Sequence, residues 1–141
     1  MSAPGEIVVR GSARSFAQMV ESDGLHLLAD EPKDFGGSSI GFSPYGLLLS
    51  ALGTCTSMTV GLYARNQKWP LEDITVRLRH ERIHARDCAE CVDQPRSLDR
   101  ITLELDMTGP LTDEQRIQLR QIAARCPVHR TLTSQVQIDI R

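Results

Sequence analysis

Two of the four cysteines occupy positions where a thiol could do chemistry. Cys126 precedes Pro127 and a segment typical of a short helical turn, so we expect it to cap that turn. Unpaired backbone N–H groups at a helix start favour a thiolate, and His129 and Arg130 add positive character nearby. A buried structural cysteine at a chain reversal fits the same residues. Cys126 is therefore a candidate reactive thiol, and the structural role stays open as the alternative.

Cys55 is the second candidate, but its own neighbours do not favour reactivity. It lies within residues 36–64, a stretch without a charged side chain, and Ala51, Leu52 and Met58 are about one helical turn away. An apolar wall disfavours the charged thiolate unless a cation approaches from elsewhere. On this local pattern, Cys55 is more typical of a core residue than of a nucleophile.

The motif His80-x3-His84-x3-Cys88-x2-Cys91 consists of residue types that bind zinc. If residues 80–84 form a strand, the two histidines are about 13 Å apart and cannot share one ion. His84, Cys88 and Cys91 could still converge, with a fourth ligand from the same loop or from a partner chain. A redox-active cysteine pair and an ordinary loop are the alternatives, and we expect no bound metal or other cofactor.

Composition excludes several classes of protein. The formal net charge is −2 and aromatic residues make up 4% of the chain, so we expect no nucleic-acid partner. Four cysteines in 141 residues are too few for a disulfide scaffold. Hydroxyl side chains and glycines within residues 36–64 argue against a membrane span, and the N-terminal residues do not resemble a secretory signal. We therefore expect a single cytoplasmic domain over residues 1–141.

Two helices must position the thiols. Ser43-Pro44 predicts the start of a long central helix over about 44–67, which ends before Trp69-Pro70. Residues apolar on every side predict that this helix is buried all round. One stripe at helical spacing contains Leu48, Leu52, Cys55, Thr59 and Leu62. A capping box at residues 112–115 predicts the second helix, over about 113–125.

Alternating apolar and polar residues predict the strands. The candidate strands cover residues 6–10, 14–21, 25–29, 74–84, 101–107 and 134–140. The turn signal Ser22-Asp23-Gly24 predicts a hairpin between the second and third of them, and a glycine- and serine-containing loop follows over 33–42. The order β-β-β-α-β-β-α-β, with antiparallel sheets and separate helices, predicts an α+β fold.

Taken together, three segments resemble the OsmC/Ohr family of thiol-dependent hydroperoxide reductases. They are Gly36-Gly37, the run from Ser43-Pro44 to Thr54-Cys55, and Arg125-Cys126-Pro127-Val128. The resemblance extends over nearly the whole chain. The ending Cys-Pro-Val-His-Arg-Thr-Leu and the Asp-Cys-x-x-Cys loop are more similar to a less characterised branch than to the best-known peroxidases.

The resemblance implies an OsmC-like fold in an intertwined homodimer, with two long central helices packed between sheets. It implies that Cys55 is the peroxidatic cysteine and Cys126 the resolving cysteine. In that scheme Cys55 reduces an organic hydroperoxide to an alcohol and becomes a sulfenic acid, Cys126 converts it to a disulfide, and an external dithiol reduces the disulfide. The apolar wall around Cys55 then becomes a pocket for the organic part of the peroxide.

Two departures from the family pattern bear on this activity. In the peroxidase branch a glutamate follows the helix-starting proline and helps position an arginine beside the reactive thiol, whereas this chain has Tyr45. The arginine is matched across a gap by Arg14, with Arg10 as the alternative. Without a cation near Cys55, the thiolate is not secured.

Two alternatives to the peroxidase therefore stay open. One is a non-enzymatic, stress-related module that binds a small ligand in the same pocket. The other is a metal-binding variant that uses His84, Cys88 and Cys91.

Overall fold

The computed structural model of the chain describes residues 3–84 and 97–141. They fall into two compact units, residues 1–48 and 49–141, whose boundary lies within the long central helix. Antiparallel sheets, this helix and further helices make a mixed α+β fold, as the sequence predicts.

The first unit contains a three-stranded antiparallel sheet. Its strands are β1 (Val8–Gly11), β2 (Gln18–Ser22) and β3 (Leu25–Ala29), in the spatial order β1-β2-β3. Between β2 and β3, Asp23 and Gly24 have φ values of 48° and 81°, the positive values that a two-residue type I′ turn requires. The predicted hairpin is confirmed, and Ser22 pairs with Leu25 across its turn.

Asp30, directly after β3, organises the loop that leads to the central helix. It is only 3% exposed, and its carboxylate accepts hydrogen bonds from the backbone N–H groups of Glu31, Ser38 and Ile40 at 2.8, 2.8 and 3.4 Å. Two backbone segments pack so closely here that a Cβ on Gly37 would lie 1.8 Å from the carbonyl oxygen of Glu31. The predicted glycine- and serine-containing loop is thus held in shape from inside by one carboxylate.

The central helix α1 spans Pro44–Gln67, which confirms its predicted boundaries. At its start, Ser43 Oγ accepts a hydrogen bond from the backbone N–H of Gly46 at 3.0 Å, and the proline at the first position has no N–H to leave unpaired. At its end, Lys68 adopts a φ of 59°, in the left-handed region, just before Trp69-Pro70.

The second unit is built on a two-stranded antiparallel ladder. β4 (Ile74–His84) has its predicted boundaries, and it pairs along its whole length with β5 (Ser97–Met107). Alternation turns Ile74 and Val76 toward the hydrophobic core, while the opposite face carries paired charges of opposite sign. The apolar and polar faces of the ladder are therefore those that the sequence predicts.

Helix α2 (Asp113–Ala123) begins with the predicted capping box. Thr112 Oγ1 accepts from the backbone N–H of Gln115 at 3.1 Å, and the Gln115 side-chain oxygen accepts from the Thr112 N–H at 2.9 Å. Leu119 is fully buried, whereas Ile117 is 60% exposed, because residues two positions apart in a helix point to nearly opposite sides.

The core of the second unit lies between α1, the ladder and α2. Its buried residues are Val60, Ala64, Leu105, Met107 and Leu119. The helix approaches the sheet closely, since a Cβ on Gly53 would lie 2.7 Å from Leu78 Cδ1. The absence of a side chain at this glycine allows that approach.

Only one face of α1 is buried, so the prediction that it is buried on every side was wrong for a single chain. The buried residues recur at a spacing of about four and are Leu52, Gly53, Thr56, Val60 and Ala64. The predicted stripe continues onto a more open face, where Leu62 is 51% exposed and Met58, beside it, is 72% exposed. The ladder and α2 cover one side of the helix, and this leaves the apolar residues of the other side uncovered.

By length and composition, α1 could cross a membrane, since its most apolar window has a mean hydropathy of 1.4. The buried face of α1 nevertheless contributes Val60 and Ala64 to the core. The core helix of a soluble protein passes the same test, so this helix is weak evidence for a span.

The last predicted strand, over 134–140, is not formed. After the short helix α3 (Pro127–Leu132) the chain is irregular, and Val136, Ile138 and Ile140 are 57%, 81% and 96% exposed. A strand needs a neighbouring strand to take up its backbone hydrogen bonds, and none among residues 3–84 and 97–141 pairs with this segment. The alternating pattern is present, but no strand that the structure describes supplies the pairing that would make it a strand.

We expect Asp30→Ala to lower the free energy of unfolding by about 3 kcal/mol, because three backbone N–H groups would lose a charged acceptor. Urea denaturation followed by circular dichroism measures this change. Asp34→Ala, which removes an exposed carboxylate from the same loop, is the matched control and should change stability by less than about 0.5 kcal/mol. Equal stability of the two variants would contradict the role assigned to Asp30.

Candidate functional site

Cys55 lies in the middle of α1, next to the face that is buried in the second unit. The thiol is free and half-buried. Because successive helix positions are rotated by about 100°, Cys55 points away from Thr56, which faces the core. The thiol therefore lies at the edge of the core, where it can be reached from outside.

Cys55 opens onto a groove of about 470 Å³. The groove is lined by Ala51, Thr54, Cys55, Met58, Thr59, Leu62, Pro127 and Val128. None of these lining residues carries a charge, and most of their side chains are apolar. The groove can therefore accept an uncharged organic group beside a sulfur atom.

Cys126 is fully buried and caps α3, as the sequence predicts. Its sulfur accepts a hydrogen bond from the backbone N–H of His129 at 3.2 Å. On its other side, Thr56 Oγ1 lies 3.8 Å from Cys126 Sγ. The sulfur thus contacts one backbone donor and one hydroxyl while it is shielded from water.

The fold brings residue 55 together with the chain that follows residue 126. Pro127 and Val128, the two residues after Cys126, form a wall of the groove that contains Cys55. Both cysteines are free thiols. Two segments about 70 positions apart in sequence therefore meet at one groove, and each carries one of the candidate thiols.

A second depression, of about 270 Å³, adjoins the first and shares Thr59 and Leu62 with it. It is also lined by Tyr63, Asn66, Ile122 and Arg125. Polar residues, among them Arg125, therefore lie along the same stretch of α1 as the apolar groove.

The candidate cations Arg14 and Arg10 belong to the first unit. Arg14 is exposed in the connection between β1 and β2, where its backbone N–H bonds Ser12 Oγ at 3.1 Å. Arg10, on β1, forms an ion pair with Glu21 of β2. Arg10 therefore already has a carboxylate partner, and the role of Arg14 beside Cys55 stays a prediction.

The residues of the possible metal motif are only partly described. His80 pairs with Asp99 across the ladder, with 2.8 Å between His80 Nε2 and Asp99 Oδ1. His84 ends β4, while Cys88 and Cys91 lie outside the described residues. Within residues 3–84 and 97–141, no three metal-binding side chains cluster.

The contact between Thr56 and Cys126 was not predicted from the sequence. The signal was present, because Leu52, Thr56, Val60 and Ala64 follow one another at a spacing of four. A hydroxyl on an otherwise apolar face needs a polar partner when it is buried. Nothing in the spacing shows that Cys126 supplies the second contact, since the two residues are distant in sequence.

Comparison with known proteins gives a match to one protein family. A family model described as OsmC-like protein matches residues 36–141. No curated protein sequence matches the chain.

Solved structures with a similar fold cover most of the chain. An OsmC-like protein from Mycoplasma pneumoniae has 23% identity and a TM-score of 0.72, over 94% of this chain and 89% of that one. An organic hydroperoxide resistance protein OsmC from Legionella pneumophila has 20% identity and a TM-score of 0.65, over 94% and 92%. One from Elizabethkingia anophelis has 18% identity and a TM-score of 0.65, over 94% and 91%. At these identities the likeness shows the fold.

The pairing of His80 with Asp99 predicts a measurable pH effect. The hydrogen bond from His80, and then the charge of Arg82, hold the pKa of the Asp99 carboxyl below its ordinary value of 3.8. A depressed pKa gives a contribution to stability that is complete above the ordinary value and is lost as the pH falls through the folded-state pKa. The stability difference between wild type and Asp99→Asn should therefore shrink as the pH is lowered through this range.

Urea denaturation at a series of pH values measures that difference, and carboxyl NMR follows the titration of Asp99 directly. His80→Gln should move the Asp99 titration back toward higher pH. A wild-type Asp99 that titrates at or above 3.8 would contradict the assigned pairing.

Proposed function

This chain belongs to the family of OsmC-like proteins, and on that premise we propose that it is a thiol-dependent peroxidase that reduces organic hydroperoxides to alcohols. The observation that carries the proposal is the apolar groove in which Cys55 lies beside the chain that follows Cys126. Two proteins of similar fold are organic hydroperoxide resistance proteins, and they support a role in redox stress.

In the proposed reaction, the Cys55 thiolate attacks the distal oxygen of the hydroperoxide. The O–O bond breaks, the alcohol leaves with a proton, and Cys55 becomes a sulfenic acid. Cys126 then attacks the Cys55 sulfur, and the thiol and the sulfenic acid condense to a disulfide with loss of water. An external dithiol restores both thiols by exchange.

The groove supports an organic substrate rather than hydrogen peroxide. Met58, Leu62 and Val128 give it apolar walls, and burial of an alkyl or aryl group against them contributes about 25 cal/mol per Å² of apolar surface. Hydrogen peroxide has no such group and gains nothing from these walls. We therefore propose a hydroperoxide with an alkyl or aryl group as the substrate.

Formation of the Cys55 thiolate is favoured by a nearby positive charge. The residues that line the groove are uncharged, so this charge must come from another part of the protein. We propose Arg14 as this cation, following the family pattern, although the glutamate of the peroxidase branch is replaced by Tyr45. A groove without a cation would equally suit a small-ligand-binding module, which is the second candidate function. Substitution of the proposed catalytic cysteines distinguishes the peroxidase from the ligand-binding module.

Reduction of cumene hydroperoxide in the presence of dithiothreitol tests the peroxidase. Wild type should reduce cumene hydroperoxide catalytically, and it should do so faster than it reduces hydrogen peroxide. Cys55→Ser should be inactive because the attacking sulfur is gone. When the dithiol is omitted, Cys126→Ser should reduce one equivalent and then accumulate oxidised Cys55, visible as added oxygen in the intact mass. Without added dithiol, wild type should stop with its thiols paired.

The matched control is Cys88→Ser with Cys91→Ser, which removes the other two thiols and should keep full activity. Equal consumption of cumene hydroperoxide by wild type and Cys55→Ser would sink the peroxidase proposal. A peroxide-insensitive protein that binds an apolar fluorophore in the groove would favour the ligand-binding module instead.

We also propose that the protein is a cytoplasmic homodimer, since cytoplasmic dithiols can recycle the disulfide. Two features of the single chain support a dimer. The open face of α1 exposes apolar side chains such as Met58, and the C-terminal segment has a strand pattern that no strand in the described part of the chain pairs with. A second copy of the chain could cover the open face of α1 and pair with the C-terminal segment.

Sedimentation equilibrium should therefore give twice the chain mass of 15.7 kDa. Ile138→Asp, at a side chain that is 81% exposed in the single chain, should weaken the dimer by at least tenfold because it places a charge in the apolar interface. Gln135→Asp adds the same charge at a polar position and serves as the control. A wild-type protein that sediments as a monomer at micromolar concentration would refute the dimer.

A further inference from the structure

Thr56 is a buried hydroxyl on the apolar face of α1 and contacts the Cys126 sulfur. Thr56 is 1% exposed and Cys126 is 0% exposed. The Thr56 hydroxyl donates to the carbonyl oxygen of Leu52 at 2.8 Å, and its oxygen lies 3.8 Å from Cys126 Sγ. Because both side chains are buried, the hydrogen bonds of the sulfur come from the protein groups around it.

The hydroxyl can serve the sulfur in both of its protonation states. While its hydrogen is donated to the Leu52 carbonyl, the oxygen has lone pairs that accept the S–H of Cys126. After the thiol loses its proton, the hydroxyl can rotate and donate to the sulfur instead. The Leu52 carbonyl then still accepts the helical N–H of Thr56, so no buried group is left unpaired.

The second contact of the sulfur is fixed. The backbone N–H of His129 points at Cys126 Sγ at 3.2 Å and can donate to the thiol or the thiolate. Thr56 is therefore the partner that can change from acceptor to donor. Hydrogen bonds to a charged group are roughly twice as strong as neutral ones, so the rotated hydroxyl favours the thiolate.

We propose that Thr56 is a positioning residue for disulfide formation, in which it orients the Cys126 sulfur and stabilises its negative charge as it attacks. This inference rests on the proposed peroxidase function. In the step, the Cys126 sulfur supplies the electron pair of the new S–S bond to the Cys55 sulfenic sulfur. The S–O bond breaks, and the leaving hydroxide takes up the proton that Cys126 released, giving water.

Valine has the shape of threonine without the hydroxyl, so Thr56→Val removes the proposed interaction and keeps the packing. Thr56→Ser keeps the hydroxyl and should rescue the step. Thr75→Val makes the same chemical change on the exposed face of β4 and is the matched control. All variants are made in a Cys88→Ser, Cys91→Ser background, so that Cys55 and Cys126 are the only thiols.

The first measurement is the reaction with one equivalent of cumene hydroperoxide, quenched at intervals and resolved by mass. Thr56→Val should form the sulfenic acid within twofold of the wild-type rate but convert it to the disulfide about tenfold more slowly at pH 7. The rate of disulfide formation in Thr56→Val should reach half of its maximum about one pH unit higher than in wild type. Thr56→Ser and Thr75→Val should stay within threefold of wild type at each pH.

The second measurement needs no peroxide. In a Cys55→Ser background, the ultraviolet absorbance of the Cys126 thiolate, which needs no reagent to reach the buried sulfur, is followed against pH, and Thr56→Val should shift this profile upward by about one unit. If Thr56→Val shifts this profile but the wild-type protein consumes no peroxide, the interaction of Thr56 with Cys126 is supported and the proposed peroxidase function is rejected. Unshifted profiles for Thr56→Val, or a Thr56→Ser as slow as Thr56→Val, would overturn the inference even if peroxide is consumed.

Discussion

The close packing of one face of α1 against the ladder and α2 determines the geometry of the candidate site. Gly53 allows the approach to Leu78, and Val60 and Ala64 continue the contact into the core. This packing fixes the rotation of the helix about its own axis. Thr56 must then face inward, and the preceding residue, Cys55, must lie at the border between core and groove.

The second constraint acts at the other end of the chain. The capped turn of α3 buries the Cys126 sulfur against Thr56 and presents Pro127 and Val128 to the groove. One thiol is thus accessible and the other is enclosed, in segments that the same packing holds together. This difference suits a pair in which the first sulfur meets a substrate and the second reacts afterwards.

Most of the elements could be predicted from the sequence, because local signals fix them. Ser43 and Pro44 set the start of α1, Asp23 and Gly24 set a hairpin turn, and alternation set β4. The strand predicted over residues 134–140 failed because pairing is not a local property. Burial of α1 was overestimated for a related reason, since composition shows that a residue is apolar but not whether another surface covers it. Proximity of the segments that carry Cys55 and Cys126 came from family resemblance, and the Thr56 contact required coordinates.

In the proposed cycle, an organic hydroperoxide oxidises Cys55, and Cys126 then forms a disulfide with it. Peptide mapping of the wild-type protein after one equivalent of cumene hydroperoxide, without reductant, tests this most directly. The expected result is an intact mass lower by two hydrogens and a cross-linked peptide pair containing Cys55 and Cys126. Unmodified thiols, or a Cys55 that gains oxygen and never links to Cys126, would contradict it.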